Sequence, residues 1–517
     1  MIDIEQAKLA SVIESYPTFS EILHYTSGEK QNHVFLIEGE KSWTYAEFNT
    51  LVDQCCHYYL SLGLKPGDII SVILRNSVDY LILYFAAIRS RVILNPFPFH
   101  LSANEVLAKI ETLSPKIIFC HKSHAKTLTD SVYRIINLDD LDGVGLTEML
   151  TVYGQQSFLS PETNPHDTAL MYYSSGTTGS PKIIEYTHKS MVVCQASLLR
   201  RGFIKPESVH LCVLPLGHTA SLRYTVKPCI CTGSRIVLYE SFWKMRTKLW
   251  DEIERHGATF MEIVPSILIA ILNTSYKTFQ NSQLETIDFI GCGSAFLPQK
   301  LQEAFENKFG IPVSNLYGLS ETNATHFDNP REPGRKTGNI GRPFDIVDIK
   351  IFDENGHAVE DGTSGEFGIK GPGLLKGYYK EEKSFESYFN NGYFMTGDIG
   401  WKDEQGIYYY LDRKKDLIIK GGVNIVPSQI EEVVLSHPAV AEAAVVGKPD
   451  MLLGETIKCY IVLKEGHHPN KEDLKAYCKE KLGPYKTPSE IMFIDSLPKG
   501  PSGKIQKREL REMEFQN

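Results

Sequence analysis

A chain of 517 residues is too long to fold around one hydrophobic core, so its length predicts at least two domains. The formal net charge of −9 argues against a nucleic-acid-binding protein, because no long basic segment offsets it. The ten cysteines include no C-x-x-C pair, which argues against zinc and favours reduced, buried thiols. The sequence MIDIEQAKLA lacks a signal-peptide pattern, and the longest apolar run, YLILYFAAI, is shorter than the roughly 20 residues that cross a bilayer. We therefore expect a cytoplasmic protein without a membrane span.

The first third of the chain alternates predicted helices and strands. Thr44 is placed to cap a helix that ends near Gly63, and IISVIL (69–74) is typical of a strand. VDYLILYFAAIRS (78–90) predicts a second helix, and VILNPF predicts a further strand. This alternation favours a parallel α/β sheet.

The pattern changes after Gly341. Short alternating segments separated by Asn355-Gly356 and Asp361-Gly362 predict antiparallel hairpins or a small β-barrel. Beyond DRKKD (412–416), a helical segment, two strands and a helix that begins at Asn470 predict an α+β domain of about a hundred residues. The predicted fold class is α/β, with a large N-terminal domain (1–414) of mixed α/β sheets plus the small barrel, and a smaller C-terminal domain (415–517).

The segment SSGTTGSPK (174–182) follows a predicted strand and is rich in glycine and hydroxyl groups. Glycines let backbone N–H groups converge on an anion, hydroxyls add donors, and Lys182 supplies a positive charge. The segment is not a Walker A motif, because G-x-x-x-x-G-K-[ST] does not fit it. A polar surface loop is as compatible with this stretch as a phosphate-binding loop.

Three later motifs have both a functional and a structural interpretation. In YGLSET, Tyr317 could stack on adenine and Glu321 could hold Mg²⁺, but a helix N-cap with Glu in its first turn is an alternative. Asp398 and Arg413 could hydrogen-bond a ribose, or belong to a surface turn and a solvated charge run. Lys504, beside Gly503, could reach into a site, or only increase solubility.

Together and in this order, these motifs resemble the adenylate-forming enzymes, the superfamily of acyl-CoA synthetases, peptide-synthetase adenylation domains and beetle luciferases. WTYAEF, SSGTTGSPK, YGLSET, TGDIG, DRKKDLI and GPSGKI carry the resemblance almost from end to end. It implies that ATP activates a small carboxylic acid to an acyl-adenylate, that pyrophosphate leaves, and that the acyl group passes to the thiol of CoA. It also implies Mg²⁺ as a cofactor and a mobile C-terminal domain.

The resemblance assigns roles to residues by motif. Glu321 would organise Mg²⁺, Ser320 would contact the α-phosphate, and Lys504 would bridge the carboxylate and α-phosphate oxygens. The residues implied to hold ATP are Ser174, Ser175, Gly176, Thr177, Thr178, Gly179 and Lys182 at the pyrophosphate, Gly293, Ser294, Ala295 and Tyr317 at adenine, and Asp398 and Arg413 at the ribose.

The remaining implied residues concern the acid and the thiol. The acyl pocket is assigned to His218, Ser266, Gly291, Cys292 and Gly318. The hinge is assigned to Lys415, and the thiol channel to Lys420, Gly421 and Gly422.

The segment GHTA (217–220) lacks the Asp that amino-acid-activating domains place there, so an apolar or aromatic carboxylate is favoured over an amino acid. A stand-alone ligase that loads the phosphopantetheine of a separate carrier protein is the alternative to a CoA ligase. A non-catalytic nucleotide-binding protein is a further alternative, disfavoured because such a protein has no need of Lys504.

Overall fold

The computed structural model describes residues 4–128, 132–139, 145–174, 182–274, 276, 284–381, 383–500 and 504–513. The predicted phosphate-loop residues Ser175, Gly176, Thr177, Thr178 and Gly179 lie outside these ranges. No helix among the described residues is both long and apolar enough to cross a bilayer.

The first part of the chain alternates helices with strands, as predicted. Its elements are α1 (Ile4–Ser15), α2 (Phe19–Glu29), β1 (Val34–Glu38), β2 (Lys41–Thr44), α3 (Tyr45–Ser61), β3 (Ile69–Ile73), α4 (Val78–Ser90), β4 (Ile93–Pro96), α5 (Ala103–Leu113), β5 (Ile117–Cys120), α6 (Lys122–Leu128), β6 (Arg134–Asn137), α7 (Leu146–Met149) and β7 (Thr168–Tyr173). Thr44 caps α3 in a reciprocal capping box with Glu47, which confirms the predicted start of that helix.

The central part continues the alternation up to a β-hairpin. Its elements are β8 (Ile183–Thr187), α8 (His188–Arg200), β9 (Val209–Cys212), α9 (Thr219–Ser221), α10 (Lys227–Thr232), β10 (Arg235–Leu238), α11 (Phe242–Met245), α12 (Leu249–His256), β11 (Phe260–Ile263), α13 (Pro265–Asn273), β12 (Phe289–Gly293), α14 (Gln299–Phe309), β13 (Val313–Leu319), β14 (Asn323–Phe327) and β15 (Arg342–Pro343). A π-helical turn, Leu222–Val226, joins α9 to α10.

The last part is mainly antiparallel. Its elements are β16 (Asp348–Phe352), β17 (Gly365–Lys370), β18 (Gly377–Tyr378), β19 (Phe389–Asn390), β20 (Tyr393–Lys402), β21 (Tyr408–Arg413), β22 (Ile418–Lys420), β23 (Val423–Ile425), α15 (Pro427–Leu435), β24 (Val440–Asp450), β25 (Gly454–Leu463), α16 (Lys471–Lys486), β26 (Glu490–Phe493) and α17 (Lys507–Glu512). Asn470 caps α16, as predicted.

Across the described residues these strands form four sheets. A nine-stranded sheet has the order β15-β14-β13-β12-β11-β9-β10-β1-β2, and a seven-stranded sheet has the order β18-β8-β7-β4-β3-β5-β6. Strands β3 to β7 pair in parallel, which confirms the predicted parallel α/β arrangement. Strands β16, β17, β19, β20 and β21 form the predicted antiparallel hairpins, and β22 to β26 form the fourth sheet.

Two features of this fold position the site. Parallel strands β11, β12 and β13 end at the same edge of the large sheet, where ligands bind in open α/β sheets. The C-terminal sheet packs α15 and α16 around its own buried residues, including Ile418, Ile430 and Leu474, so this region has a hydrophobic core of its own. The site lies between that edge and this C-terminal region.

Candidate active site

A cavity of about 690 Å³ lies where the large sheet, the antiparallel sheet and the C-terminal region meet. It brings together residues that are up to 246 positions apart in the sequence, from Pro265 to Arg511. The predicted site residues that line it are Ser266, Ser294, Ala295, Tyr317, Gly318, Asp398, Arg413, Lys415 and Lys504.

Asp398 and Arg413 form an ion pair at the wall of this cavity. They lie opposite each other in the antiparallel pairing of β20 and β21, and Arg413 Nε is 2.6 Å from Asp398 Oδ1. The Tyr317 hydroxyl donates a 2.7 Å hydrogen bond to Asp398 Oδ2. Burial raises the pKa of Asp398, while Arg413 and the Tyr317 hydrogen bond act to lower it. The strand register therefore fixes a carboxylate, a guanidinium and an aromatic hydroxyl together.

Lys504 reaches the same cavity from the C-terminal region. A β-bridge between Lys499 and Ile505 and a 2.7 Å hydrogen bond from Gly500 N to Lys504 O fix its backbone. Burial and the nearby charge of Arg413 lower the pKa of Lys504 to about 8. An anion that bound beside this ammonium group would favour its charged form.

Ser320 and Glu321 occupy the turn between β13 and β14, so the helix N-cap considered for YGLSET is wrong. The turn bends tightly, because Asn323 adopts a left-handed φ of 59°. Leu375 N donates a 2.8 Å hydrogen bond to Glu321 O, and the Tyr378 hydroxyl lies 3.4 Å from Glu321 Oε1. Burial raises the pKa of the Glu321 carboxyl.

Lys182 is held close to that turn by two tyrosines that sequence reasoning missed. Its Nζ lies 4.7 Å from the ring centroid of Tyr378 and 4.1 Å from that of Tyr388, and it also contacts the Tyr388 hydroxyl. Backbone bonds with Ser174 fix the start of β8, since Ser174 N donates to Lys182 O at 2.7 Å. Tyr378 therefore connects Lys182 with Glu321.

A second cavity, of about 160 Å³, adjoins the first, since Ser266 and Ser294 line both. His218 lies in its wall together with Phe242 and Trp243. Burial, Lys504 and His100 lower the pKa of His218 to about 4, so the imidazole is neutral at physiological pH.

The other predicted site residues lie elsewhere. Gly291 and Cys292 belong to the buried strand β12 and line neither cavity, and their assignment to the acyl pocket stays a prediction. A side chain at Gly291 would meet Leu316 and Phe260, because neighbouring strands pack tightly there. Lys420, Gly421 and Gly422 lie at the β22–β23 hairpin and line neither cavity, and Lys420 Nζ donates to Tyr485 O at 2.7 Å.

Gly293 and Gly318 are required where two backbones approach each other closely. A Cβ at Gly293 would lie 2.5 Å from Leu316 O, and one at Gly318 would lie 2.1 Å from Asn323 O. No larger residue fits at either position without a backbone shift. The two glycines thus let the segments that carry Ser294 and Ser320 approach the cavity side by side.

Comparison with known proteins supports the resemblance seen in the sequence. Residues 23–379 match the model of the AMP-binding enzyme family, and residues 429–504 match that of the AMP-binding enzyme C-terminal domain. Over 460 residues the chain is 33% identical to the sulfoacetate–CoA ligase of Cupriavidus necator, covering 87% of this chain and 89% of that one.

Solved structures share the fold over nearly the whole chain. ATP-bound MatB from Rhodopseudomonas palustris has a TM-score of 0.88 at 26% identity, covering 96% of this chain and 98% of that one. The o-succinylbenzoate CoA synthetase of Bacillus subtilis, in complex with its acyl-adenylate intermediate, has a TM-score of 0.84 at 29% identity, covering 95% and 97%. The same synthetase with ATP and a magnesium ion has a TM-score of 0.82 at 28% identity, covering 95% and 98%. These matches confirm the predicted fold class, and the chain belongs to the AMP-binding enzyme family.

Proposed function

We propose that this protein is an acid–CoA ligase, which activates a carboxylic acid with ATP to an acyl-adenylate and then transfers the acyl group to CoA. The observation that carries the proposal is the convergence of Lys504, from the C-terminal region, on the cavity wall that holds Asp398 and Arg413. Relatives named as CoA ligases support CoA as the thiol acceptor.

In the first step, an oxygen of the substrate carboxylate attacks the α-phosphorus of ATP. The bond to the β-phosphate oxygen breaks, and pyrophosphate leaves. This transfer depends on positive groups that are positioned before the reaction starts. We assign Lys504 to the carboxylate and α-phosphate oxygens, Ser320 to the α-phosphate, and Lys182 with the loop 174–179 to the departing pyrophosphate.

Asp398 and Arg413 suit the ribose, because together they offer an acceptor and several donors beside Tyr317, whose ring we assign to adenine. Glu321 fits the role of a magnesium ligand, since it presents a buried carboxylate, the hard oxygen ligand that this ion prefers. When bound, Mg²⁺ supplies positive charge that offsets the charge on the phosphates.

In the second step, the CoA sulfur attacks the acyl carbon, its proton passes to water, and AMP leaves. We propose that residues 415–517 form a domain that turns at Lys415 between the two steps. The turn Lys414–Asp416 directly follows Arg413, and Lys415 lines the cavity. This domain rotation would move Lys504 out of the cavity and bring in the β22–β23 hairpin. In the present arrangement the hairpin residues Lys420, Gly421 and Gly422 line neither cavity.

The test is pyrophosphate exchange into ATP with a panel of acids, followed by thioester formation with CoA. We expect exchange only when a suitable acid is added, and AMP rather than ADP as the product of complete turnover. A matched reaction offers a phosphopantetheinylated carrier protein instead of CoA. Pyrophosphate exchange that proceeds without any added acid, or release of ADP, would contradict the proposal. Acylation of the carrier protein but not of CoA would favour the carrier-loading alternative.

A further inference from the structure

Arg223 is a buried arginine that contacts the backbone of a residue lining the larger cavity. It lies in the π-helical turn Leu222–Val226, a type of helix irregularity that is frequent at functional sites, and its side chain is buried. Its Nη2 lies 3.4 Å from Leu319 O. Leu319 lines the larger cavity, and Ser221, two positions before Arg223, lines the smaller one. Arg223 itself lines neither cavity in this arrangement, and its guanidinium group contacts the backbone of Leu319, which lines the larger one.

The charge of Arg223 is not neutralised by a carboxylate. Among the described residues, no Asp or Glu forms an ion pair with it, and its Nε has no hydrogen-bond partner. Buried Arg89 and half-buried Arg335, in contrast, pair with Asp53 and Asp328 at 2.8 and 2.7 Å. An uncompensated buried charge is costly, and such groups are rare unless they serve a ligand.

Other groups around Arg223 leave this region positive. Glu262 interacts with it electrostatically, but burial raises the pKa of Glu262 to about 8, so this acid is mostly neutral at pH 7. Lys227, four positions after Arg223, is also buried, and burial together with Arg223 lowers its pKa to about 7. The region therefore contains two basic side chains and little negative charge to balance them.

Unpaired polar atoms collect in the same place. Within the described residues, Gln195 Oε1 and Glu262 Oε2 are buried without a hydrogen-bond partner. Gln195 Nε2 donates to Arg223 O at 2.9 Å, and Tyr224 is the next residue along the chain, with its ring 5.8 Å from the guanidinium carbon. Buried polar groups are usually paired, so a cluster of unpaired ones beside a cavity calls for a polar ligand or ordered water.

We propose that Arg223 is a specificity-determining residue that binds a second anionic group of the substrate acid, such as a distal carboxylate or sulfonate. This inference rests on the proposed acid–CoA ligase function and narrows its substrate to short acids with two anionic ends. One end reacts beside Lys504, and the other meets the guanidinium group, whose planar donors match a carboxylate or a sulfonate. The apolar or aromatic acid favoured by the sequence has no group to pair with Arg223.

The test compares acids that differ only in the distal group, in pyrophosphate exchange with the full-length protein. Succinate is compared with butyrate, malonate with propionate, and sulfoacetate with propionate. We expect kcat/KM to be about 100-fold higher for the dianionic member of at least one pair, in keeping with the value of a buried charged hydrogen bond. Equal or better use of the uncharged members throughout would overturn the inference.

The variants Arg223→Met and Arg223→Lys test whether Arg223 causes the selectivity for dianionic over monoanionic acids. We expect Arg223→Met to lose about 100-fold on the preferred dianion and to change less than about threefold on its monoanionic counterpart, with Arg223→Lys in between. Arg91→Met is the matched control, because the Arg91 side chain is only 8% exposed and has its own carboxylate, Glu21, at 2.8 Å.

An equal loss on both acids in Arg223→Met would overturn the inference and leave Arg223 as a support for the turn that follows Leu319. The selectivity of the wild-type protein tests the inference even where the Met variant does not fold. Wild-type protein that shows no exchange with any acid, monoanionic or dianionic, would overturn the proposed function and this inference with it. Those two failures are therefore distinguishable.

Discussion

Two arginines near the candidate active site, Arg413 and Arg223, differ in how their charges are satisfied. Arg413 lies 2.6 Å from a carboxylate of its own chain, Asp398, and the pair is set by the register of two antiparallel strands. Arg223 lies in an irregular helical turn and has no carboxylate partner among the described residues. The first arginine is arranged before any ligand binds, while the second is left for a ligand to neutralise.

This difference suggests that the site treats its two substrates differently: the nucleotide, which is always the same, and the acid, which differs between ligases. Every turnover would use the same nucleotide, so a rigid, internally paired site reduces the reorganisation needed when ATP binds. The acid is the part that distinguishes one ligase from another, and an uncompensated cation penalises any acid that lacks an anion to match it. Substitutions at Lys504 and in the Asp398–Arg413 pair test the nucleotide side of this difference, beginning with the largest expected effect.

Lys504→Ala should reduce adenylation by about 10³-fold, by analogy with the removal of one donor that stabilises transition-state charge. The reason is that Lys504 is a cation from the C-terminal region that lines the cavity and interacts electrostatically with Asp398 and Arg413. The measurement is acid-dependent pyrophosphate exchange. Thioester formation from supplied acyl-adenylate and CoA should fall much less, because Lys504 is expected to leave the site before that step.

The matched control is Lys448→Ala, in the same region but outside both cavities, where Lys448 pairs with Glu490 at 2.7 Å. It should change neither half-reaction by more than about twofold, since exposed ion pairs contribute little. If Lys504→Ala reduced both half-reactions to the same extent, Lys504 would not act in adenylation alone.

Asp398→Asn should destabilise the protein by about 3 kcal/mol and raise KM for ATP by about 10- to 100-fold. Breaking a buried pair strands the partner charge, and the lower end of the usual 3–5 kcal/mol range applies because the Arg413 side chain is 32% exposed. Urea denaturation gives the free energy of unfolding, and initial rates give KM.

Asp361→Asn provides the comparison within the same sheet region, because Asp361 pairs with Lys402 at 2.7 Å in an exposed position. It should cost less than about 1 kcal/mol and leave KM unchanged. Equal destabilisation by the two substitutions would mean that the Asp398–Arg413 pair contributes no more than a surface pair does.

Most of the architecture could be predicted because local signals agree with the fold. The start of α3 follows from the capping residue Thr44, and the strand–helix alternation after it follows from hydrophobic periodicity. Both signals act within a few residues of the chain. The antiparallel hairpins after Gly341 follow from their turn residues in the same way.

The site was harder to predict, because its geometry comes from contacts distant in sequence. The YGLSET sequence is compatible with a helix start as well as with a hairpin turn. The antiparallel pairing of β13 with β14 makes it a hairpin turn. Gly291 and Cys292 have small side chains typical of a pocket wall, yet the neighbouring Leu316 and Phe260 fill the space beside Gly291. Local sequence carries no information on those neighbours.

Three residues at or near the candidate site have no local sequence motif that indicates their position. Tyr378 and Tyr388 lie about 200 residues after Lys182, and no motif marks them as its neighbours. Arg223 is notable because no Asp or Glu in the described part of the chain forms an ion pair with it, which the sequence alone does not reveal. Sequence patterns thus indicated residues that meet at the larger cavity, such as Tyr317, Asp398, Arg413 and Lys504, but not the residues packed around them.

The smallest expected effect is a shift in pH dependence, and it tests whether Lys504 acts as a cation. Its pKa is about 8 in this arrangement, because burial and Arg413 disfavour the charged form. The ammonium group is therefore present below about pH 8 and is lost as the pH rises through that value. We expect kcat/KM for adenylation to fall on the alkaline side with a midpoint near pH 8, since kcat/KM reports the ionisation of the free enzyme.

Lys504→Arg separates this group from other titrating groups. A guanidinium stays charged throughout the accessible pH range, so any activity the variant retains should lose the alkaline decline, even if its absolute rate is lower. The second half-reaction, started from acyl-adenylate and CoA, should show no decline near pH 8, because the CoA thiolate becomes more abundant there. A decline near pH 8 that persisted in Lys504→Arg would place the titrating group elsewhere. In that case adenylation would not depend on the protonation of Lys504.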